Sequence, residues 1–443
     1  MPTALSNPTY RRLFTAQVVA LTGTGLATVA LGLLAYDIAG NDAAAVLGTA
    51  LAIKMIAYVG VAPVAGAIAA RLPRKRLLVT LDAVRAAIAV MLPWVDQVWQ
   101  VYLLIFLLQA SSAAFTPTFQ ATIPDVLTDE RDYTSALSLS RMAYDLENLL
   151  SPLVAAAALA LVGYDFLFVG TAIGFAASGF LVVSALLPTT RARPSSRGLR
   201  ATTLGLRIYL ATPRLRGYFA AHLAVAAAGS MVLVNTVVYV RDVLGRDDTA
   251  VAFALAANGL GSLVAALTVP RLLERFPDRT VMLRGATVLA VALFLGVPST
   301  ALLDAERWLV LLTLWAAVGA GTSLILTPGG RLLRLSAHPA DLPAVFAADF
   351  SLSHACWLLC YPFAGWLATQ AGMATALGVL GALTVTATAA ATRLWTAHDP
   401  ESLEHDHDLD ADHEHLHDAT HAHGRWRHAH PYRIDDLHTR WPA

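Results

Sequence analysis

Charge is scarce in this chain. Only 14% of its 443 residues are charged, against 56% hydrophobic, whereas soluble domains carry about 25% charged residues. A chain so poor in polar groups cannot cover a water-soluble core of its size. Cysteine is nearly absent: Cys356 and Cys360 share one apolar stretch and imply no disulfide framework. Neither sign of charge is in excess, with 31 basic and 31 acidic residues, so net charge argues against a nucleic-acid partner. There is no Gly-rich phosphate loop, no G-x-S-x-G elbow and no C-x-x-C pair. That disfavours an ATP-driven pump and offers no constellation for covalent or hydrolytic chemistry. The chain is expected to be no enzyme and to require no cofactor. Also missing at the N-terminus is a short apolar run closed by a small-residue cleavage site, so the first hydrophobic segment is expected to be a retained helix.

What is present is a series of apolar runs of about twenty residues, the length that crosses a hydrocarbon core. They lie at 13–36, 45–69, 77–95, 100–121, 134–161 and 164–187, then at 216–240, 249–269, 281–303, 306–327, 344–368 and 372–395. Lipid cannot satisfy exposed backbone groups, so each is expected to be a helix. The fold class is therefore an all-α membrane protein with twelve transmembrane helices. A polar, basic linker at 188–215 divides them into an N-terminal six-helix bundle (1–187) and a C-terminal one (216–395), followed by a tail at 396–443 that is too polar to bury a core and is expected to be disordered. Arginine sets the orientation. Arg11, Arg12, Arg71, Arg74, Lys75, Arg76, six linker arginines, Arg271, Arg275, Arg279, Arg331, Arg334 and Arg393 fall on one side, and only Arg241, Arg246 and Arg307 on the other. The positive-inside rule then places both termini in the cytoplasm. A monomer in a bacterial inner membrane is expected.

The halves echo one another. Gly66 to Arg76 after the second run and Pro270 to Arg279 after the eighth each place an Arg five residues beyond a Gly or Pro, with further cations behind, the mark of two related bundles around a midplane site. This loop resembles that of the major facilitator superfamily, G-x-x-x-D-R-x-G-R-[RK], matched by Gly66, Arg71, Arg74 and Lys75. Ala70 replaces the motif's Asp and Pro73 its Gly, while Glu274, beside Arg275, keeps the acid in the second copy. The resemblance covers residues 6–395 and implies a secondary transporter whose gating loops carry these residues. The missing acid in the first copy weakens the expected charge latch there. The opening Asn7-Pro-Thr-Tyr-Arg11-Arg12 and the stretch Phe115 to Asp125 look like the bacterial exporter branch that includes siderophore exporters.

Ionisable groups inside membrane spans are costly and mark function by default. Asp82, Arg85 and Arg284 lie near the basic ends of their runs and can snorkel; Lys54 lies deeper. The fifth run carries Arg141, Asp145, Glu147 and Asn148. Arg141 and Asp145 stand at i,i+4 and can neutralise each other, which leaves Glu147 without a partner on a stripe with Ser140, Tyr144 and Ser151. Glu147, with Asp145 and Asn148, is the candidate cation or proton site; the bland alternative is a charge cluster capping the helix. The eleventh run places Asp349, Ser353, Cys356 and Cys360 on one face, a donor set suited to a borderline-soft metal, while His354 projects elsewhere. His222 is a lone histidine of the seventh run, as fit for packing as for ligation.

Beyond Arg393 the chain changes character. Eleven of its fourteen histidines lie at 398–438, among them His405, His407, His413, His415, His417, His421, His423, His428 and His430, interleaved with Asp and Glu. Imidazole with carboxylate favours Ni(II), Cu(II), Zn(II) or Co(II) over Mg or Ca. A superfamily core with such a tail resembles the nickel-resistance exporters, as does the segment Ala136 to Pro152. That resemblance implies proton-coupled Ni(II) efflux, with the metal as both cargo and tail ligand and protons as the second partner; cobalt or zinc fits the tail equally. The alternative is an exporter of drugs, siderophores or other small organic compounds with an accessory metal-binding tail. The topology itself is testable. A cysteine introduced at Ser196 should resist a membrane-impermeant thiol reagent added to intact cells, and efficient labelling there would invert the orientation.

Overall fold

A computed structural model describes residues 3–69, 73–127, 129, 132, 136, 139–140, 143, 147, 151, 154–155, 157–159, 161, 163–187, 198–301, 303–338, 341–397, 403–407, 420–422, 425–430, 432–434 and 441. The first half holds α1 (Pro8–Ala39), α2 (Ala43–Ala69), α3 (Arg74–Met91), α4 (Val98–Val126) and α5 (Asp165–Ser184). Between α4 and α5, the described residues from Ala136 to Leu159 are helical and constitute the fifth segment; the rest of the expected run at 134–161 lies outside the described residues. The second half holds α7 (Pro213–Val238), α8 (Asp248–Leu273), α9 (Asp278–Ser299), α10 (Asp304–Leu326), α11 (Gly329–Ser336), α12 (Leu342–Ala371) and α13 (Met373–Leu394). Eleven described helices are long and apolar enough to cross a membrane. All-helical spans under this composition make the chain a multi-pass membrane protein.

Packing repeats between the halves. In the first, α1 and α3 both pack on α5, and α2 and α3 on α4. In the second, α7 and α9 both pack on α13, and α8 and α9 on α10. Small residues permit the closest approaches, as expected where lipid supplies no hydrophobic drive between helices. A Cβ on Gly261 of α8 would stand 1.9 Å from the Ala316 carbonyl oxygen of α10, and one on Gly319 of α10 equally close to the Asn258 carbonyl of α8. Asn258 and Asn235 act as interhelical glue, donating to the Trp315 carbonyl at 3.1 Å and the Ala364 carbonyl at 3.4 Å.

The loops that were read as gating elements lie together on one face, the basic face. Gly66 lies near the end of α2, while Ala70 and Arg71 lie outside the described residues. Arg74 forms an ion pair with Asp125 at the end of α4, and Lys75 donates to the Ala185 carbonyl at 2.9 Å. The acid absent from the first loop is thus supplied from α4. In the second half the corresponding contact runs from Asp278 to Arg331 at 3.7 Å, with acid and base exchanged. Glu274 and Arg275 are exposed beside it, so Asp278 rather than Glu274 holds the acidic position of the ion pair.

Two further parts depart from expectation. The 188–215 linker contains a helix, α6 (Gly198–Ala211), whose Ile208 and Tyr209 are fully buried in the main core. Arg200 and Arg207 alternate there with Leu204, Leu206 and Ile208, a helical amphipathic pattern hidden in a segment classed by its overall polarity. The tail, expected to be disordered, contains strands β1 (Leu403–His407), β2 (Thr420–Ala422) and β3 (Arg425–His430) in the antiparallel order β1-β3-β2. Residue-by-residue alternation has the period of a strand. His405 stands opposite His428, Leu403 opposite His430, and both His407 and His421 opposite Trp426, so positions 405, 407, 421, 428 and 430 share one face. His413, His415, His417 and His423 lie outside the described residues.

Beyond β3 the chain returns to the body. Tyr432 and Ile434 are 7% and 1% exposed and join the main apolar core. Trp441 meets Tyr432 edge-on with centroids 5.2 Å apart, and the Arg214 guanidinium at the start of α7 lies 5.5 Å over its ring. The histidine-rich strands are therefore held between α13 and a docked C-terminus. Burying one Ile side chain contributes about 1.5–3 kcal/mol. Ile434→Asp should accordingly release the tail and speed tryptic cleavage at Arg425 and Arg427 by roughly tenfold or more; an unchanged cleavage rate would show that the docking holds nothing.

Candidate translocation site

Glycine brings the two halves into contact. A Cβ on Gly48 of α2 would stand 2.5 Å from the Tyr361 carbonyl oxygen of α12, and one on Gly365 of α12 would stand 2.1 Å from that of Ala44. Farther along the same helices, Tyr58 of α2 stacks on His354 of α12 at 5.7 Å and meets Phe350 at 6.2 Å. Lys54, one turn before Tyr58, therefore fronts the same interface. From the fifth segment, Glu147 comes within electrostatic reach of Lys54. The carboxylate of Glu147, expected to lack a partner, feels the charge of Lys54. Both sit inside helices, where an isolated charge would be expensive. Asp145 and Asn148, with Arg141, lie outside the described residues.

The second half contributes Asp349, His354 and His222. Asp349 Oδ1 accepts from Tyr209 Oη of the linker helix at 2.8 Å and stands 3.2 Å from His222 Nε2. His222 packs against Tyr218 with ring centroids 4.3 Å apart. It is no lone packing histidine, because a carboxylate and a phenol complete its surroundings. Tyr209 escaped sequence reasoning, since it lies in the linker. His354 Nδ1 donates to the Phe350 carbonyl at 2.7 Å, which fixes the ring and leaves Nε2 as the acceptor. His354 lies within electrostatic reach of Lys54, His222 and Asp349, beside the Tyr58 stack that joins the two halves.

The stripe read from the eleventh run does not assemble as a ligand set. Cys356 and Cys360 are 3% and 2% exposed within the apolar core, and Ser353 turns back on the Phe350 carbonyl at 3.0 Å. Among the described residues no three His, Cys, Asp or Glu side chains come together as a metal site. Cysteine here behaves as a small buried apolar residue. Asp82 and Arg85 do not snorkel either: they are 1% and 3% exposed and form an ion pair, with Ser178 donating to Asp82 at 2.8 Å. Arg85 is sandwiched between Phe115 at 4.2 Å and Phe175 at 4.5 Å, a structural role by cation–π contact.

The face opposite the basic loops is clasped by charge. Tyr36 at the end of α1 donates to Asp242 after α7, and Arg241 pairs with Asp248. Arg241 also stands 3.9 Å from Asp37 and 4.6 Å over the Tyr36 ring. Tyr164 donates to Asp37 at 2.7 Å, and burial together with that carboxylate raises its phenol above the usual range. Ends of the symmetry-related α1 and α7 thus grip each other across the two halves. A cleft of about 690 Å³ beside the clasp, lined by Arg241, Arg246 and Asp248, is open surface and does not reach the Glu147–Asp349 region.

Comparison with known proteins follows this geometry. A sequence profile described as Major Facilitator Superfamily matches residues 13–245 and 218–429. No curated protein matches the chain. Among solved structures, the chain is similar to a nucleoside transporter, NupG, with 15% identity, 88% of this chain and 100% of that one covered, and a TM-score of 0.68. It is also similar to a bacterial homolog of the human lysosomal transporter Spinster in an inward-facing, unoccupied conformation, with 13% identity, 89% and 98% covered, and a TM-score of 0.69. A third is a POT family transporter in complex with a peptide conjugate, with 14% identity, 86% and 95% covered, and a TM-score of 0.63.

The clasp predicts a measurable opening. Arg241→Gln removes both of its carboxylate contacts, each half-exposed and contributing about 0.5 kcal/mol. Labelling of Cys360 by a maleimide from the clasped face should rise about two- to fivefold. No change would mean that the α2–α12 contact alone keeps this face shut.

Proposed function

The chain belongs to the Major Facilitator Superfamily, and on that premise we propose that it exports divalent transition-metal cations, nickel first among them, in exchange for protons. The observation that supports this reading is the contact of Asp349 with His222 at 3.2 Å, a carboxylate and an imidazole inside the second half, together with Glu147, a carboxylate inside a helix of the first. Carboxylate and imidazole are ligands that nickel, cobalt and zinc share. A carboxylate in a water-poor site can hold a proton or a metal ion but not both, so loading one favours release of the other. The histidine-rich tail supports the same cargo, because it supplies nitrogen and oxygen donors on the side of the molecule where the basic loops lie. Under the positive-inside rule that side is the cytoplasm of a bacterial inner membrane, where metal would be collected before export. No resident cofactor and no subunit partner is needed for this cycle; the chain would act as a monomer.

A second reading is favoured by the aromatic lining. Tyr58, Phe350, Tyr209 and Tyr218 surround the polar groups, and the similar structures include a nucleoside transporter and a peptide-bound transporter. Such rings suit an organic substrate, with the tail as an accessory. Inverted vesicles with an imposed pH gradient separate the two. Glu147→Gln should abolish pH-driven nickel, cobalt or zinc flux while the full-length protein still inserts and its tail still binds metal. Flux and pH dependence equal to the unaltered protein's would remove Glu147 from the pathway. If no metal moves in the unaltered protein but a lipophilic compound does, the organic reading stands instead.

A further inference from the structure

The linker helix reaches the polar groups of the second half. α6 meets α12 so closely that a Cβ on Gly205 would stand 2.0 Å from the Ala344 carbonyl oxygen. One turn on, Tyr209 is fully buried, and its hydroxyl donates to Asp349 Oδ1 at 2.8 Å. The same oxygen stands 3.2 Å from His222 Nε2 of α7. His222 is itself 6% exposed and packs on Tyr218, so a phenol and an imidazole approach Asp349 from two different elements. We propose that Tyr209 is a positioning residue of the cargo site: it holds Asp349 facing His222, so that a divalent cation binds tightly only while the linker helix is docked. This rests on the reading of Asp349 and His222 as cargo ligands and adds the element that regulates them.

An oxygen and a nitrogen that share one metal ion, each about 2.1 Å from it, stand roughly 3–3.5 Å apart. The Asp349–His222 separation already meets that spacing. A carboxylate oxygen accepts more than one partner, and the Tyr209 hydroxyl occupies a second position on Oδ1. Such an outer donor fixes the direction of a ligand that could otherwise rotate about its own bonds, and losing one weakens metal binding by about 10–100-fold. Packing alone asks only for the buried ring; the hydroxyl is what reaches the carboxylate. Its origin gives it a further role, because Tyr209 belongs to the segment that joins the two halves. A linker helix that undocks takes the hydroxyl with it and loosens the ligand. A cation bound at Asp349 holds the helix down in return, since coupling between two binding events is reciprocal.

Two measurements on the full-length protein test this. In vesicles with an imposed pH gradient, Tyr209→Phe, which keeps the buried ring, should raise the half-saturating nickel concentration about tenfold or more, with a smaller change in maximal rate. An unchanged or lower half-saturating concentration overturns the proposal. Tryptic cleavage at Arg207, exposed on α6, reads the docking by itself. Without metal, Tyr209→Phe should be cut about threefold or more faster than the unaltered protein. Nickel should slow the cut in the unaltered protein but not in Tyr209→Phe or Asp349→Asn, and protection that persists in either variant overturns the coupling. If the unaltered protein neither moves nickel nor is protected by it, the metal reading falls. The metal-free digest still decides whether the Tyr209 hydroxyl holds the linker helix, and equal rates there overturn that contact as well.

Discussion

The approach of α2 to α12 is the contact on which the rest of the arrangement depends. Gly48 and Gly365 let the two backbones meet where any side chain would collide with a carbonyl oxygen. That approach seals the clasped face and aligns Lys54 and Tyr58 with Phe350 and His354 farther along the same pair of helices. Sealing and assembly of the polar region are thus one geometric event. A bulky residue at either glycine would separate the halves and, with them, the charges that have no acceptable environment alone. The charged clasp of Tyr36, Asp37, Arg241, Asp242 and Asp248 is secondary, because its members are half-exposed and water can replace their contacts.

Much of this was legible in the chain because the membrane simplifies the code. Apolar runs of spanning length and the placement of arginine needed only composition and periodicity, and the helices fall where those runs lie. The internal repeat was legible at the two basic loops, yet its chemistry was misplaced. Asp125 and Asp278 hold the acidic positions, from α4 and from the start of α9, because the ion pairs form between helix ends rather than within the loop. Sequence spacing carries no information about which helix ends meet.

The polar region was half legible for the same reason. Glu147, Asp349, His354 and His222 stand out as ionisable residues in apolar runs, and the fold puts Asp349 against His222 and His354 against Tyr58 of the other half. That His354 meets an aromatic ring of the other half could not be read, since Tyr58 lies about three hundred residues away on another helix. Tyr209 was obscured by arginine-rich surroundings, though its neighbours Leu206 and Ile208 show the helical stripe once a length of ten residues or more is considered. In the eleventh run the helical face was correctly drawn but wrongly valued: helical spacing places Cys356 and Cys360 together, and packing against the second half's core makes that face dry.

The tail shows how a polar segment with no core of its own can still be held. Its strands place five histidine positions on one face by register, and Tyr432, Ile434 and Trp441 hold the segment beside α7. The anchoring comes from apolar and aromatic residues beyond the last strand, not from the histidines. Composition averaged over 396–443 hides them, because three anchoring side chains weigh little against so many polar ones. The burial of Ile434, at the far end of the polar segment, is the physical sign that the C-terminus packs on the helical body.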